Sequence, residues 1–533
     1  MPDHHSGNET TQNALLRQVA RLESEMVETK ALREHTQVPL QVEQEKERRQ
    51  LLNSQLNCLS PINQLPVEIK AEIFYNALGS LTDFVGVNPF FLGKICHGWR
   101  DVVWSTPILW TTLYLRLSRN NYKTQSVLLR DWLSRTGKQP ISFCLDTEEF
   151  LQTARPWRYH PPVKVLTLFA SVSARWRKID ISFYDLQACF NIISPAKKFL
   201  PLLTTATIQI VVSEGYDWEL GLLRIMAPQL SELHLHATRC FGLLHKVLVA
   251  PWHQLQEFSA DHCYRDEIRF FLHNAPHIIR CTFRAIKSRI LEWNSPDEQL
   301  RHRPLLLKHL RYLELHFTVV YERGVETGWI FKGQVRFPSL REFSLCNPED
   351  NEPQDAVLLQ ITNSFQSESP LLEKFTWSAM MEDHNLIQAL NNIPSVKDLS
   401  LNFLSYLPIK LLTEEFLKRL YFPHPEILLP NLRSFSYHGA TSLNEHMHLF
   451  RDVLVYRFRK CALRTDEIDS GQATVAQLKS VSITSSSELV VSSDIQEELN
   501  SLVQEGLEFT LHFRTHLGAM KSLQTLNGVL VLK

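Results

Sequence analysis

Pro338-Ser339-Leu340-Arg341-Glu342-Phe343-Ser344-Leu345 sets an aliphatic residue two positions after a proline, then apolar residues three and five positions further on. The closing alternation puts Phe343 and Leu345 on one face of a short, half-buried strand. The same frame recurs as Pro228/Leu230/Leu233/Leu235, Pro276/Ile278/Cys281/Phe283, Pro370/Leu372/Phe375/Trp377, Pro394/Val396/Leu399/Leu401 and Pro430/Leu432/Phe435/Tyr437. Copies without the proline sit at Leu255/Phe258, Leu310/Leu313/Leu315 and Leu478/Val481/Ile483, and a weaker one starts at Pro201. Helical patterns lie between strands, as in Asp266–Asn274 and Leu411–Leu420. One such unit cannot bury its own apolar face, so units must stack with their strands side by side. A mixed α/β chain is therefore expected, with an irregular leucine-rich-repeat-like solenoid of short strands and helices over 116–533. Leu233, Leu313, Phe343, Phe375, Leu399 and Phe435 are expected in equivalent buried positions. The spacing is irregular and the Asn or Cys usual in such repeats is mostly missing, so an ordinary parallel α/β sheet is the alternative.

Upstream, the first dozen residues are polar and read as disordered. Within 13–57, Leu15, Val19, Leu22 and Met26 recur at steps of four and three, a narrow apolar seam flanked by charge. Pro39 interrupts it, and Val42–Leu56 is a second stretch rich in helix formers. The seam serves either a short coiled coil or a helix folded back on its own chain.

Over 59–115 three short helices are expected. Pro66 suits a helix start and Glu68 an electropositive first turn. Leu65, Ile69 and Ile73 share a face that Phe74 broadens. Leu92, Ile95, Cys96, Trp99, Val102 and Val103 lie at helical spacing on one predicted amphipathic helix, and Pro107 opens a last turn with Leu109 and Trp110. Ser60-Pro61-Ile62, Leu65-Pro66-x-Glu68-Ile69, Ile73-Phe74, Leu92, Ile95-Cys96-x-x-Trp99-Arg100 and Thr106-Pro107-x-Leu109-Trp110 together resemble the F-box motif. The chain is similar to F-box proteins of mushroom-forming fungi, in which a charged helix precedes the box and divergent leucine-rich repeats follow. The resemblance implies a non-enzymatic adaptor. Its F-box would dock on a Skp-type adaptor, and through it a cullin, in an E3 ubiquitin ligase complex, while the C-terminal region holds a protein substrate. The adaptor-binding candidates are Leu65, Pro66, Ile69, Ile73, Phe74, Leu92, Trp99, Trp104, Leu109 and Trp110. A unit of three short helices is too small to bury all its large apolar groups unaided, and those left outside form a binding patch. The alternative is a leucine-rich-repeat scaffold without a ligase role.

In a stacked-strand array, residues between the buried positions face outward. Glu314, Glu342 and Lys374 are the substrate-binding candidates on that face, within a mixture of charged and small polar residues that suits a protein or peptide. The chain carries 56 basic and 57 acidic residues, a formal charge of −1. No basic stripe is visible along the sequence, which argues against nucleic acid as partner. No apolar run reaches the ~20 residues a spanning helix needs and no signal core is present, so no membrane partner is expected and the compartment is cytoplasmic or nuclear.

Catalytic and cofactor motifs are missing. The 22 histidines include the close pairs His4/His5, His234/His236 and His446/His448, but no His-Glu-x-x-His or Cys-x-x-Cys spacing that would hold a metal. Glycine is scarce, 17 in all, against a Gly-rich nucleotide cradle. The nine scattered cysteines fit reduced, buried thiols. No catalytic residue, metal or cofactor is assigned. An active site assembled from distant residues is the remaining enzymatic alternative.

Overall fold

A computed structural model describes residues 17–18, 20–27, 39–78, 88–118, 120–147, 162–183, 199–210, 223–237, 248–286, 304–317, 335–347, 355–379, 381–403, 411–421, 427–460, 475–514, 520–526 and 529–532. The expected disorder of residues 1–12 and the seam positions Leu15 and Val19 lie outside these. The chain divides into two compact units, 1–148 and 149–533.

The first unit is mainly helical. Helix α1 (Pro39–Leu59) begins at the proline expected to interrupt it, which suits a first helical position. Arg48 lies 4.0 Å from Glu25, so the preceding helical residues fold back beside α1. A one-turn helix α2 (Pro61–Gln64) leads to α3 (Val67–Ala77), with Glu68 in its first turn. The amphipathic helix expected across Leu92 to Val103 is two helices, α4 (Pro89–Ile95) and α5 (His97–Ser105). Cys96 between them is extended, with φ −155° and ψ 170°, and its Sγ accepts from the Trp99 N–H at 3.5 Å. Two faces with separate partners replace one continuous stripe. A 3₁₀ turn (Pro107–Trp110), strand β1 (Thr112–Leu117), helix α6 (Tyr122–Arg135) and strand β2 (Ile141–Thr147) complete the unit, with β1 and β2 paired in parallel.

Its core is aromatic. Phe90, Trp104, Trp110 and Trp132 meet edge to face at centroid separations of 4.9–6.0 Å. Such pairs add to simple area burial. The indole N–H of Trp110 donates to Val103 O at 2.8 Å, and that of Trp132 to Trp110 O at 2.7 Å. Arg135 lies over both Trp104 and Trp110, 5.0 Å from each ring. Helix α6, beyond the boundary drawn from the motif, thus finishes the core that the motif begins. Gly93 is a steric requirement: a Cβ built there would overlap the Trp104 ring. Gly98 has open space around the same position.

The second unit is a ladder of parallel strands. After helix α7 (Val163–Ser171), strands β3 (Trp176–Phe183), β4 (Thr205–Ile210), β6 (Glu232–Ala237), β8 (Glu257–Asp261), β9 (Arg280–Ile286), β11 (Tyr312–Phe317), β13 (Glu342–Cys346), β14 (Lys374–Ser378), β15 (Asp398–Asn402), β16 (Ser434–Gly439), β17 (Ser480–Glu488) and β18 (Glu508–Arg514) pair in that order, all parallel. Strands β19 (Met520–Leu526) and β20 (Val529–Leu532) follow antiparallel. Between ladder strands lie the short pairs β5 (Leu223–Arg224) with β7 (Leu248–Val249) and β10 (Leu305–Leu306) with β12 (Val335–Arg336). Helices α8 (Arg265–Asn274), α9 (Asp355–Glu368), α10 (Asp383–Asn391), α11 (Glu414–Leu420), α12 (Leu443–Val455) and α13 (Ser493–Gln504) form other crossovers.

The expected inward row is present. Leu233, Phe258, Cys281, Leu313, Phe343, Phe375, Leu399, Phe435, Val481 and Phe509 are successive register partners. All ten are buried, as are their neighbours two positions on, from Leu235 through Trp377 to Leu511. The register is continuous along this row and shifts only toward strand ends, between Leu315 and Phe317 and between Thr484 and Glu488, so the residues between the buried positions form the outer face. A buried arginine ties the crossovers together. Arg457, in a π turn (Tyr456–Lys460) after α12, donates from Nε to Leu420 O (2.9 Å), from Nη1 to Leu429 O (3.0 Å) and from Nη2 to Leu428 O (2.6 Å).

Candidate functional site

Two surfaces carry the candidate residues, one in each unit. On the first unit the ten adaptor candidates separate by burial. Phe74, Leu92, Leu109 and Trp110 lie inside, so they hold the unit together and present no surface. Phe74 packs on Trp99 at 4.6 Å, and the Trp99 indole donates to Asn63 Oδ1 at 2.9 Å. Trp99 and Trp104 are half-buried and engaged within the unit. Leu65 is half-buried, and Pro66, Ile69 and Ile73 are exposed. Ile69 keeps 48% and Ile73 39% of its surface in solvent. They are four apart on α3 and so neighbours on its surface. Further exposed members were not among the sequence candidates: Val67 on α3, Phe91 and Ile95 four apart on α4, and Ile108 on the 3₁₀ turn. Phe91 and Ile95 could have been found once α4 is seen to be short, because Pro89, Leu92 and Gly93 take its inner side. One small helical unit leaving this many large apolar groups in water is unusual, and such surfaces mark protein contacts.

On the second unit the outer face of the ladder carries Glu314, Glu342 and Lys374. They are not directly opposite one another throughout: Glu342 and Lys374 are register partners, while Glu314 pairs with Ser344. Glu342 and Lys374 form a loose pair at 3.9 Å. Glu314 accepts from the Tyr312 hydroxyl at 2.6 Å and lies 3.4 Å from Arg284. The Arg280 guanidinium stacks on Tyr312, 4.2 Å from the ring centroid. Burial, then the Glu314 hydrogen bond, push the Tyr312 hydroxyl up to about 12. The charges of this face are therefore largely engaged with each other, and its small members Ser344, Thr376, Ser400 and Ser436 leave it flat.

His234 and His236 point to the same face, as their spacing predicts. His234 Nδ1 lies 2.8 Å from Ser259 Oγ, and His236 Nδ1 lies 2.8 Å from Asp261 Oδ2. Burial pushes the His234 imidazole down, against the pull of Glu257. Among the described residues no group of three or more His, Cys, Asp or Glu is placed to hold a metal ion. Burial pushes the Cys281 and Cys346 thiols up, the reverse of an activated thiolate. No described helix is long and apolar enough to cross a membrane. No protein-family model matches the chain, and no curated protein matches it.

Proposed function

We propose that this chain is an F-box adaptor. Residues 59–148 would dock on a Skp-type adaptor and thereby a cullin, and the parallel ladder, read as a divergent leucine-rich-repeat solenoid, would hold a protein substrate for ubiquitin transfer by other subunits. The observation that carries the reading is the group of exposed apolar side chains, Ile69, Ile73, Phe91, Ile95 and Ile108, on a helical unit whose interior is already filled by aromatic rings. They are surplus to that core and accessible to a partner. The ladder contributes a second, separate surface, as a substrate receptor requires. The proposed compartment is the cytoplasm or nucleus, and no catalytic role is assigned.

Ile69→Ala with Ile73→Ala tests the docking surface. Fully burying an isoleucine is worth roughly 1.5–3 kcal/mol. About half of each side chain remains to be covered, so the pair supplies roughly 1.3–2.6 kcal/mol, a loss of about 10- to 80-fold in affinity. Co-purification with the Skp-type adaptor should fall accordingly while the thermal midpoint holds. Unchanged capture by the double variant would move the interface elsewhere and leave the scaffold reading in its place.

A further inference from the structure

The residues just before strands β11 and β13 to β17 form a row of their own, continuing one that is neutral at Thr204, Ser231, Gln256 and Ile279. The backbone N–H of Arg341 donates to Arg311 O, Glu373 to Arg341 O, Lys397 to Glu373 O, Arg433 to Lys397 O and Lys479 to Arg433 O, at 2.7–2.9 Å. Each is tens of residues from the next in sequence, yet the register places them on consecutive strands. Five of these six residues are cationic, in a chain whose formal charge is −1. The one acid, Glu373, lies between Arg341 at 3.4 Å and Lys397 at 2.8 Å. Among the described residues, Arg311, Arg433 and Lys479 have no acidic side chain within ion-pair distance, and all three are exposed. The result is a basic ridge along the edge at which the strands begin.

We propose that this ridge binds an extended acidic segment of another protein. Strands about 4.8 Å apart give six rungs a span of ~24 Å, the length of about seven extended residues. Charge complementarity of this kind supplies register and fast association. Nucleic acid fits the ridge less well. Glu373 stands within it, and Glu342 and Asp398 follow directly on two of its strands, where a continuous phosphate chain would meet them. The nearby Tyr312 ring is covered by Arg280, which leaves no free platform there for a base. Spaced carboxylates can avoid the acids and reach Arg311, Arg433 and Lys479. The site is independent of adaptor docking, which uses residues of the first unit.

The test is fluorescence anisotropy on the full chain with three labelled probes: a ten-residue peptide alternating Glu and Ser, the same peptide with Gln for Glu, and a ten-nucleotide oligothymidylate. The Glu peptide should bind, and more weakly as salt rises. The Gln peptide should bind at least ten-fold more weakly. Arg311→Gln/Arg433→Gln/Lys479→Gln should weaken the Glu peptide at least ten-fold without moving the thermal midpoint, and Arg284→Gln, away from the ridge, should change it less than two-fold. If the triple variant proves unstable, the three single variants should each weaken binding two- to three-fold. Absence of Glu-peptide binding, equal binding of the Gln peptide, or wild-type binding by the substituted chains would overturn the proposal. Tighter binding of the oligonucleotide would assign the ridge to nucleic acid instead.

Discussion

Arg457→Met should cost the second unit stability out of proportion to a single side chain. The guanidinium is 1% exposed and serves the carbonyls of Leu420, Leu428 and Leu429, from both sides of residues 422–426. Leu429 O also accepts from the Leu432 N–H at 3.1 Å, so it keeps a partner after the substitution. Leu420 O and Leu428 O lose a charged donor. A buried carbonyl left without its partner costs about 1–3 kcal/mol, so two cost roughly 2–6 kcal/mol. Relief of the buried charge offsets part of this, and methionine fills much of the volume, so a net loss of at least ~2 kcal/mol is expected. The same bonds hold Leu429 at φ +48°, a left-handed conformation that disfavours leucine. Urea denaturation followed by tryptophan fluorescence reads the change, and hydrogen exchange at Leu428 to Leu432 locates it. A loss below ~0.5 kcal/mol with unaltered exchange would refute the view that Arg457 organises these crossovers.

Further substitutions test the first unit and one half-buried carboxyl. Gly93→Ala forces a methyl into the Trp104 ring and should cost ~1–3 kcal/mol, whereas Gly98→Ala should be neutral or stabilising by up to ~1 kcal/mol; equal effects in thermal melts would contradict the packing described for Gly93. A fragment of residues 1–148 should melt cooperatively in near-ultraviolet circular dichroism while residues 1–115 do not, because the shorter piece lacks Trp132. Burial lifts the Asp383 carboxyl above its usual range, opposed by hydrogen bonds from Thr413. The folded chain therefore holds this proton at a pH where the unfolded chain has released it. That contribution to stability is complete below the unfolded pKa and disappears as pH rises through the folded one. Asp383→Asn should gain on wild type between pH 4 and pH 7 in thermal midpoint; a difference independent of pH would show that the carboxyl titrates normally.

The ladder was legible because its buried row repeats a local pattern. Each of Leu233, Leu313, Phe343, Phe375, Leu399 and Phe435 sits in the same short frame, so period-two alternation fixed its face and the stacking requirement fixed its neighbours. The basic ridge was invisible for the complementary reason. Arg311, Arg341, Lys397, Arg433 and Lys479 are single charges beside different local sequences, and only the hydrogen-bonded register makes them adjacent. In the first unit, apolar spacing found the helices but could not divide core from surface. Ile69 and Phe74 are both large and apolar on one helix, and which faces water depends on where Trp99 packs. The break at Cys96 was equally hidden, since Leu92, Ile95, Trp99 and Val103 keep helical spacing across it. Trp132 and Arg135 fell outside the motif and so outside the sequence reading of that core.

Isothermal titration of the purified full chain with a purified Skp-type adaptor is the decisive measurement for the proposed function. A saturable one-to-one complex with a negative heat-capacity change, the mark of apolar surface removed from water, is expected, and its loss when Ile69 and Ile73 are replaced by aspartate in a chain that still melts cooperatively. A wild-type chain that binds no Skp-type adaptor, or one that binds it equally well with both aspartates present, would contradict the proposed adaptor function.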